Sequence, residues 1–222
     1  MVRAAFFDLD KTILDTSSNV ALSGPFIEAG LMNRRTALTS VLVQLPYLLA
    51  GADESRMEQM AEAMGRMGRG WNAAFLEATV EDALERTIEP VCYAQALQRI
   101  AYHKSIGDVV VIASASVEQV VRPIATMLGV DEVLASQAAV DDDWCFTGEV
   151  THFNQAQGQE AACEQLARTR GWDLSQCSAY SDSVSDAPLL RLVRHPYAVN
   201  PDRALREMAE REGGPKRKKA KK

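Results

Sequence analysis

Residues 6–12 read Phe-Phe-Asp-Leu-Asp-Lys-Thr, and they end the apolar run that opens the chain. The nearly continuous apolar segment Arg3–Leu9 is typical of a buried strand in a parallel sheet. Asp8 and Asp10 therefore stand where this strand ends, and a buried carboxylate is costly unless it is paired or bound to a metal. Taken alone, the pattern fits equally well a capping Asp followed by a turn Asp.

A second acid pair follows another short apolar strand. Residues 180–186 read Tyr-Ser-Asp-Ser-Val-Ser-Asp, which places Asp182 and Asp186 at the end of that strand. Because the carboxyl ends of parallel strands meet at one edge of a sheet, the four carboxylates converge and repel one another unless a cation is present. Oxygen ligands of this kind suit Mg²⁺, which binds a few carboxylates together with waters and a substrate phosphate.

A third segment adds hydroxyl groups to the same edge. Val109–Ala113 is predicted to be a buried strand, and it runs into Ser114-Ala115-Ser116 at the start of a helix. A serine hydroxyl and the amide groups of a helix N-terminus can together hold a phosphoryl oxygen. The three segments therefore predict a magnesium and phosphate site at one edge of the sheet.

Strands and helices alternate from Asp108 onward, which predicts right-handed crossovers and a doubly wound parallel α/β sheet. Ala138–Val150 reads as a hairpin with its turn at Asp141–Asp143. Between the first strand and residue 88 the pattern is helical, and we expect this insertion to cap the strand ends. The predicted units are an α/β core (1–15 and 89–212), a helical cap (16–88) and a basic disordered tail (213–222).

The three motifs, in this order and spacing, resemble those of the haloacid dehalogenase-like phosphatases, in particular the phosphoserine-phosphatase-like branch with a helical cap. The resemblance covers residues 4–212 and includes the tract Ala198-Val199-Asn200-Pro201-Asp202. It implies a Rossmann-like core, Mg²⁺ as cofactor and a small phosphorylated metabolite as substrate.

The resemblance also implies a role for each motif residue. Asp8 is expected to be the nucleophile that forms an aspartyl-phosphate, and Asp10 the general acid and base. Thr12 and Ser114 are expected to bind the substrate phosphate. The expected magnesium ligands come from both acid pairs: Asp8, Asp182 and the backbone carbonyl of Asp10, with Asp186 in support.

One position departs from the family pattern. The resemblance implies a lysine at the start of the helix before the last acid pair, but residues 156–160 read Ala-Gln-Gly-Gln-Glu, so Gln159 stands there. Gln159 can still donate a hydrogen bond to phosphate, but it brings no charge, and losing one such stabiliser typically costs about 10²–10³ in rate. Three explanations stay open: a slow enzyme, a substitute cation, or a relative that binds phosphorylated ligands without efficient turnover.

The sequence offers two sources of a substitute cation. Lys11 adjoins the site, but Asp10 and Thr12 on either side both have inward roles, so we expect Lys11 to point away. The other source is a group of cap arginines: Arg34, Arg35, Arg66 and Arg69. A solvated helix face is the simpler interpretation for each of them.

Charge limits the other functional classes. The net charge is −6, but residues 216–222 carry +6, so the rest of the chain carries −12. This acidic body makes nucleic acid an unlikely main ligand and leaves only weak anionic contact to the basic tail. A phospho-accepting signalling receiver needs an Asp at the end of a later strand, where this chain has Ser114.

Composition also bears on metal sites and location. The four cysteines and three histidines show no zinc-ligand spacing, and scattered thiols are typical of a reducing cytoplasm, where we expect the protein to lie. The charge-free stretch Thr36–Ala52 falls just short of the roughly 18–20 apolar residues of a membrane span. We interpret it as a buried helix pair, with a membrane-facing or partner-facing surface as the alternative.

Overall fold

A computed structural model describes residues 3–33, 54–211 and 216–218. Its strands are β1 (Ala4–Phe7), β2 (Val109–Val117), β3 (Glu132–Val140), β4 (Phe146–His152), β5 (Ser178–Ser181), β6 (His195–Val199) and β7 (Lys216–Lys218). They form one sheet in the order β4-β3-β2-β1-β5-β6-β7. Neighbouring strands pair in parallel except β3 and β4, which form the predicted hairpin. The predicted doubly wound α/β fold is confirmed.

Helices flank this sheet. They are α1 (Ser18–Ala21), α2 (Ser23–Glu28), α3 (Glu54–Gly68), α4 (Ala73–Ala83), α5 (Ala94–Ser105), α6 (Glu118–Met127), α7 (Gln157–Arg170), α8 (Ala187–Leu192) and α9 (Arg203–Arg211). Single turns complete the set: a π-helical turn at Leu84–Ile88 and 3₁₀ turns at Glu89–Val91, Leu174–Gln176 and Val184–Asp186.

Both faces of the sheet are buried, which explains why β1 is apolar without alternation. Ala5 and Phe7 join the core on one face, which α4, α5 and α6 cover. Ala4 and Phe6 join the core on the other face, under α7, α8 and α9. Successive side chains of a strand point to opposite faces, so a strand covered on both sides must be apolar at every position.

The helical block after β1 begins and ends at two neighbouring chain segments. Leu14 and Cys92 form an isolated antiparallel bridge, and the Asp15 N–H donates to the Val91 carbonyl at 2.8 Å. This bridge lies at the limits that the sequence predicts for the insertion. The second half of the block differs from a detached cap, however, because Leu76 of α4 is fully buried in the main core.

Helix α3 packs against the hairpin strand β4 through two glycines. A Cβ added at Gly65 would lie 2.1 Å from the carbonyl oxygen of Gly148, so this close approach requires glycine. Met60, Met64 and Met67, which are spaced to share one face of the same helix, are half-buried. These side chains therefore lie at the margin of the core, because the backbone contact at Gly65 occupies the closest part of the interface.

The basic tail and the charge-free stretch Thr36–Ala52 were the two remaining segments with a predicted structure. The tail was predicted to be disordered, but Lys216–Lys218 pairs in parallel with β6, since an edge strand offers backbone groups to any neighbouring chain segment. The stretch Thr36–Ala52 lies outside the described residues. Within the described part of the chain, no helix has the length and apolar character needed to cross a membrane.

Candidate active site

Asp8 lies at the carboxyl end of β1, where its backbone N–H donates to the Tyr180 carbonyl at 2.9 Å. Tyr180 belongs to β5, so this bond joins the two strands that carry the two acid pairs. The chain then turns at Lys11, which adopts a left-handed φ of 59° and donates its N–H to the Thr16 carbonyl. As predicted, both acid pairs lie at the carboxyl-end edge of the sheet.

Asp10 is held by the start of the helical block. Its Oδ1 accepts a hydrogen bond from the Ser18 N–H at 2.8 Å. The Ser18 hydroxyl lies 3.0 Å from the Ser116 hydroxyl, and the Ser116 N–H donates to the Ser114 Oγ at 3.2 Å. A continuous polar connection therefore links the expected general acid to the expected phosphate-binding serine.

Asp186 is held by hydroxyl groups on both of its oxygens. Ser181 donates to Oδ2 at 2.6 Å, and Ser185 donates to Oδ1 at 3.3 Å. The 3₁₀ turn Val184–Asp186 is capped by Ser183, whose side chain accepts the Ser185 N–H. This serine-rich turn fixes Asp186 below the loop that carries Asp182.

Burial raises the pKa of all four carboxylates, and repulsion from other acids adds to this effect at Asp8, Asp182 and Asp186. Desolvation, followed by the charges of the other three acids, raises the pKa of Asp8 well above its usual range. Burial and the charge of Asp186 raise the pKa of Asp182 to about 7, and burial raises that of Asp186 to about 6. Burial also raises the pKa of Asp10, although the Ser18 N–H partly offsets the effect. Raised pKa values of this kind are typical of clustered carboxylates, and a bound cation lowers them by stabilising the charged forms.

The residues present fit a magnesium ion. The Thr12 hydroxyl is buried, and its interaction with Asp8 lowers the pKa of that carboxyl group, although no hydrogen bond of normal geometry satisfies the hydroxyl in the described chain. Among the described residues, no three Asp, Glu, His or Cys side chains are grouped as metal ligands. Since both Asp186 oxygens are engaged, Asp8 and Asp182 are the available carboxylates, and Mg²⁺ typically takes one or two carboxylates with carbonyl, water or phosphate oxygens.

Gln159 occupies the position where the family pattern implies a lysine. It is buried in the first turn of α7, and its Nε2 donates to the Ala113 carbonyl at 3.2 Å. Its Oε1 is buried without a hydrogen-bond partner among the described residues. Gly158 sets this position, because a Cβ there would lie 2.3 Å from the Phe153 carbonyl oxygen. The side chain thus holds the middle of β2, next to Ser114, and supplies no charge. Ser114 lies within this strand and not at the start of the next helix, as the sequence had predicted, because β2 continues to Val117.

Asn154 is a site-supporting residue that the motifs did not reveal. It is fully buried, and its side-chain amide donates to the Ser114 carbonyl at 3.1 Å and to the Leu134 carbonyl at 2.9 Å. Its backbone N–H donates to the Ser136 hydroxyl at 3.0 Å. Asn154 therefore fixes the backbone beneath Ser114. The only signal in the sequence is an asparagine just before a helix, which is common at ordinary helix starts.

Lys11 and the cap arginines are the candidate replacements for the charge of the family lysine. Lys11 is exposed, yet its charge lowers the pKa of Asp10 and of Asp182. Arg66 forms an exposed ion pair with Glu62 at 3.0 Å, and the aliphatic part of Arg69 lies against Gly148. The remaining two candidates, Arg34 and Arg35, lie outside the described residues.

A family model and several known proteins match this chain. The family model of haloacid dehalogenase-like hydrolases matches residues 5–191. The inhibition of morphological differentiation protein of Streptomyces azureus is 44% identical over 212 residues, which cover 96% of this chain and 76% of the relative. A Mycobacterium tuberculosis protein named probable phosphatase is 43% identical, covering 96% of this chain and 74% of its own. A phosphoserine phosphatase of the same species is 30% identical, covering 96% and 70%.

Solved structures show the same fold. A Bordetella pertussis protein of unknown function has a TM-score of 0.82 at 27% identity and covers 98% of this chain and 99% of that one. An apo phosphoserine phosphatase has a TM-score of 0.65 at 17% identity and covers 93% of this chain and 90% of that one. The family predicted from the motifs is therefore confirmed, and this chain belongs to the haloacid dehalogenase-like hydrolases, in their phosphatase branch.

Proposed function

We propose that this hydrolase is a Mg²⁺-dependent phosphomonoesterase that acts on a small soluble substrate through an aspartyl-phosphate on Asp8. The observation that carries the proposal is the cluster of four carboxylates at one sheet edge, of which Asp186 is buried and the other three are half-buried, each with a raised pKa. Such a cluster is stable only when a cation or protons offset its charge. The phosphoserine phosphatase among the relatives supports a small phosphomonoester as the substrate class.

In the first step, a carboxylate oxygen of Asp8 attacks phosphorus and the bond from phosphorus to the ester oxygen breaks. Asp10 gives its proton to that leaving oxygen, so the product departs as an alcohol. Burial raises the pKa of Asp10, which favours the protonated form that this role requires. The Ser18 N–H holds the carboxyl group in place at 2.8 Å.

In the second step, Asp10 takes a proton from a water molecule whose oxygen attacks the phosphorus of the aspartyl-phosphate. The bond between phosphorus and Asp8 breaks, which releases inorganic phosphate and restores both carboxyl groups. The hydroxyls of Thr12 and Ser114 hold phosphoryl oxygens throughout. Thr12 suits this role because its buried hydroxyl lies beside Asp8, the attacking residue.

Asp8, Asp182 and the Asp10 carbonyl would hold the magnesium ion, with Asp186 as a supporting carboxylate. When bound, the ion supplies positive charge that stabilises the phosphoryl oxygens and screens the carboxylates from one another. We propose that Lys11 supplies part of the charge that Gln159 does not, because its ammonium already acts on Asp10 and Asp182. The enzyme is then slower than relatives that carry the family lysine.

A second candidate function is the binding of phosphorylated ligands without efficient turnover. Gln159 favours it, because its amide nitrogen is engaged with the Ala113 carbonyl. The retention of all four acids favours hydrolysis instead, because a binding site has little physical need for a costly carboxylate cluster.

The deciding experiment measures phosphate release from a panel of small phosphomonoesters, phosphoserine and histidinol phosphate included. We expect release with MgCl₂ and background rates in excess chelator, because the carboxylate cluster requires a cation. Calorimetric titration with MgCl₂ runs in parallel. Magnesium binding without release from any ester would favour the binding function, and release that persists in chelator would contradict the proposed mechanism.

The raised pKa values also predict that magnesium binds more tightly as the pH rises. At about pH 6, one unit below the pKa of about 7 for Asp182, protonation of this group alone should make magnesium binding about tenfold weaker than at about pH 8. Calorimetry without substrate at about pH 6, 7 and 8 measures the trend. A dissociation constant that stays unchanged over this range would contradict the assignment of Asp182 as a ligand.

Stability without metal should follow the opposite trend. The folded-state pKa of Asp182 and Asp186 lies above the ordinary value of 3.8, so the folded state binds more protons than the unfolded state between these values. Stability in chelator should therefore fall as the pH rises from about 4 to about 7. Thermal unfolding with and without MgCl₂ checks this, and the gain from magnesium should be largest at the high end.

A further inference from the structure

Asp202 joins the acidic loop after β5 to the helix α9. Its Oδ1 accepts the Leu205 N–H at 2.7 Å, which caps the helix. Its Oδ2 accepts the Val184 N–H at 3.0 Å and lies 3.3 Å from the Ser183 hydroxyl. Its own N–H donates to the Asp182 carbonyl at 2.7 Å. One residue therefore contacts three consecutive residues of the loop that starts at Asp182.

We infer that Asp202 is a positioning residue that holds Asp182 in the orientation needed to bind magnesium. The inference rests on the proposed function. Asp182 follows the end of β5 and lies outside regular structure. The orientation of its side chain therefore depends on the position of the backbone at residues 182–184. Contacts from Asp202 reach this backbone on both sides of Ser183. Groups that orient a metal ligand in this way typically change metal affinity by about 10–100-fold when they are removed.

Helix capping alone does not account for an aspartate at this position. A serine or asparagine caps a helix about as well, and only one carboxylate oxygen is used for the cap. The other oxygen accepts from the loop, and the negative charge of Asp202 raises the pKa of Asp182 and Asp186. A fifth carboxylate beside four others carries an electrostatic cost, which the contacts with the loop offset.

The test uses Asp202→Ser in the full chain. Serine keeps the helix cap but is too short to reach residues 183–184 as well. We expect the magnesium dissociation constant, measured by calorimetry without substrate at about pH 8, to rise by about tenfold or more. Activity should recover to within about threefold of wild type at saturating MgCl₂, because the positioning is then restored by mass action. The unfolding temperature in chelator should stay near that of wild type.

Asp141→Asn is the matched control. The Asp141 Oδ1 also accepts two backbone N–H groups, from Asp143 and Cys145, but it lies in the exposed turn of the hairpin. This variant should bind magnesium as wild type does. If Asp202→Ser fails to fold, Ser183→Ala decides, because it keeps the charge of Asp202 and removes the hydroxyl that lies 3.3 Å from it, together with the contacts of this hydroxyl with Ser185. A smaller weakening in the same direction supports the inference.

Unchanged magnesium affinity in Asp202→Ser, or in Ser183→Ala where the first variant does not fold, would overturn the inference while leaving the proposed function intact. An equal loss of activity at every magnesium concentration with unchanged affinity would overturn it too. A wild-type protein that binds no magnesium would overturn both proposals together.

Discussion

Asp8→Asn should lower the rate of phosphate release by at least about 10⁴-fold. The substitution keeps the size and shape of the side chain, but an amide oxygen is a poor nucleophile and forms no stable acyl-phosphate. Every other contact of the site remains, including the backbone bond from residue 8 to the Tyr180 carbonyl. The measurement is single-turnover hydrolysis of the best ester of the panel at saturating MgCl₂.

The unfolding temperature of Asp8→Asn shows whether a loss of activity comes from the missing nucleophile or from a folding defect. Desolvation and three neighbouring carboxylates raise the pKa of Asp8, so removing this acid relieves repulsion in the metal-free site. The unfolding temperature of Asp8→Asn in chelator should therefore equal or exceed that of wild type at about pH 8. Asp141→Asn, an equivalent change in an exposed turn, should leave both activity and stability unchanged. Activity at the wild-type level in Asp8→Asn would remove Asp8 as the nucleophile.

The positions of the acid pairs were predictable because they follow from topology. A continuous apolar strand places Asp8 at its carboxyl end, and parallel pairing of β1 with β5 brings that end beside Asp182. Local sequence was sufficient for this step, since strand ends in a parallel sheet share one edge. The same reasoning predicted the hairpin and placed Gln159 at the start of its helix.

The supports of the site could not be predicted in this way, because they depend on contacts far apart in the chain. Ser18 meets Ser116 across 98 positions, and Asn154 meets the Ser114 carbonyl across 40. Serine and asparagine at helix starts are common for local reasons, so their types carry no signal for such pairs. The spacing of Met60, Met64 and Met67 indicates one apolar face of α3, but the depth to which this face is buried depends on the contact of Gly65 with the partner strand.

A buried polar network around Tyr180 of β5 is a further arrangement that could not be predicted from the sequence. His103 lies 2.8 Å from an Asp108 carboxylate oxygen and 2.9 Å from the Tyr180 hydroxyl. Burial lowers the pKa of His103, which favours a neutral ring between an acceptor and a donor. The Tyr180 ring stacks on Phe7 with a centroid distance of 4.4 Å, next to Asp8. A histidine on an amphipathic helix gives no indication of this arrangement.

Gln159→Lys should raise the turnover rate by about 10²-fold at saturating MgCl₂, because it restores a charge of the kind that preorganised sites use. The helix turn and Gly158 already place residue 159 against the middle of β2, beside the Ala113 carbonyl. Burial disfavours a charged lysine, but four carboxylates nearby favour it, so the ammonium should stay protonated at neutral pH. Gln159→Met is the matched control, since it adds no charge and should give no gain.

The same charge should weaken magnesium binding, because the new ammonium repels the ion and competes for the carboxylates. A higher half-saturating magnesium concentration together with a higher turnover rate would identify charge as the missing component.

Lys11→Met extends the test, since Lys11 is an exposed cation whose charge lowers the pKa of Asp10 and of Asp182. If Lys11 compensates for Gln159, its loss should cost more activity in the wild-type background than in Gln159→Lys, a coupling that a double-mutant cycle measures. Equal costs in both backgrounds would exclude compensation by Lys11, and no gain from Gln159→Lys itself would show that charge at this position does not limit the rate.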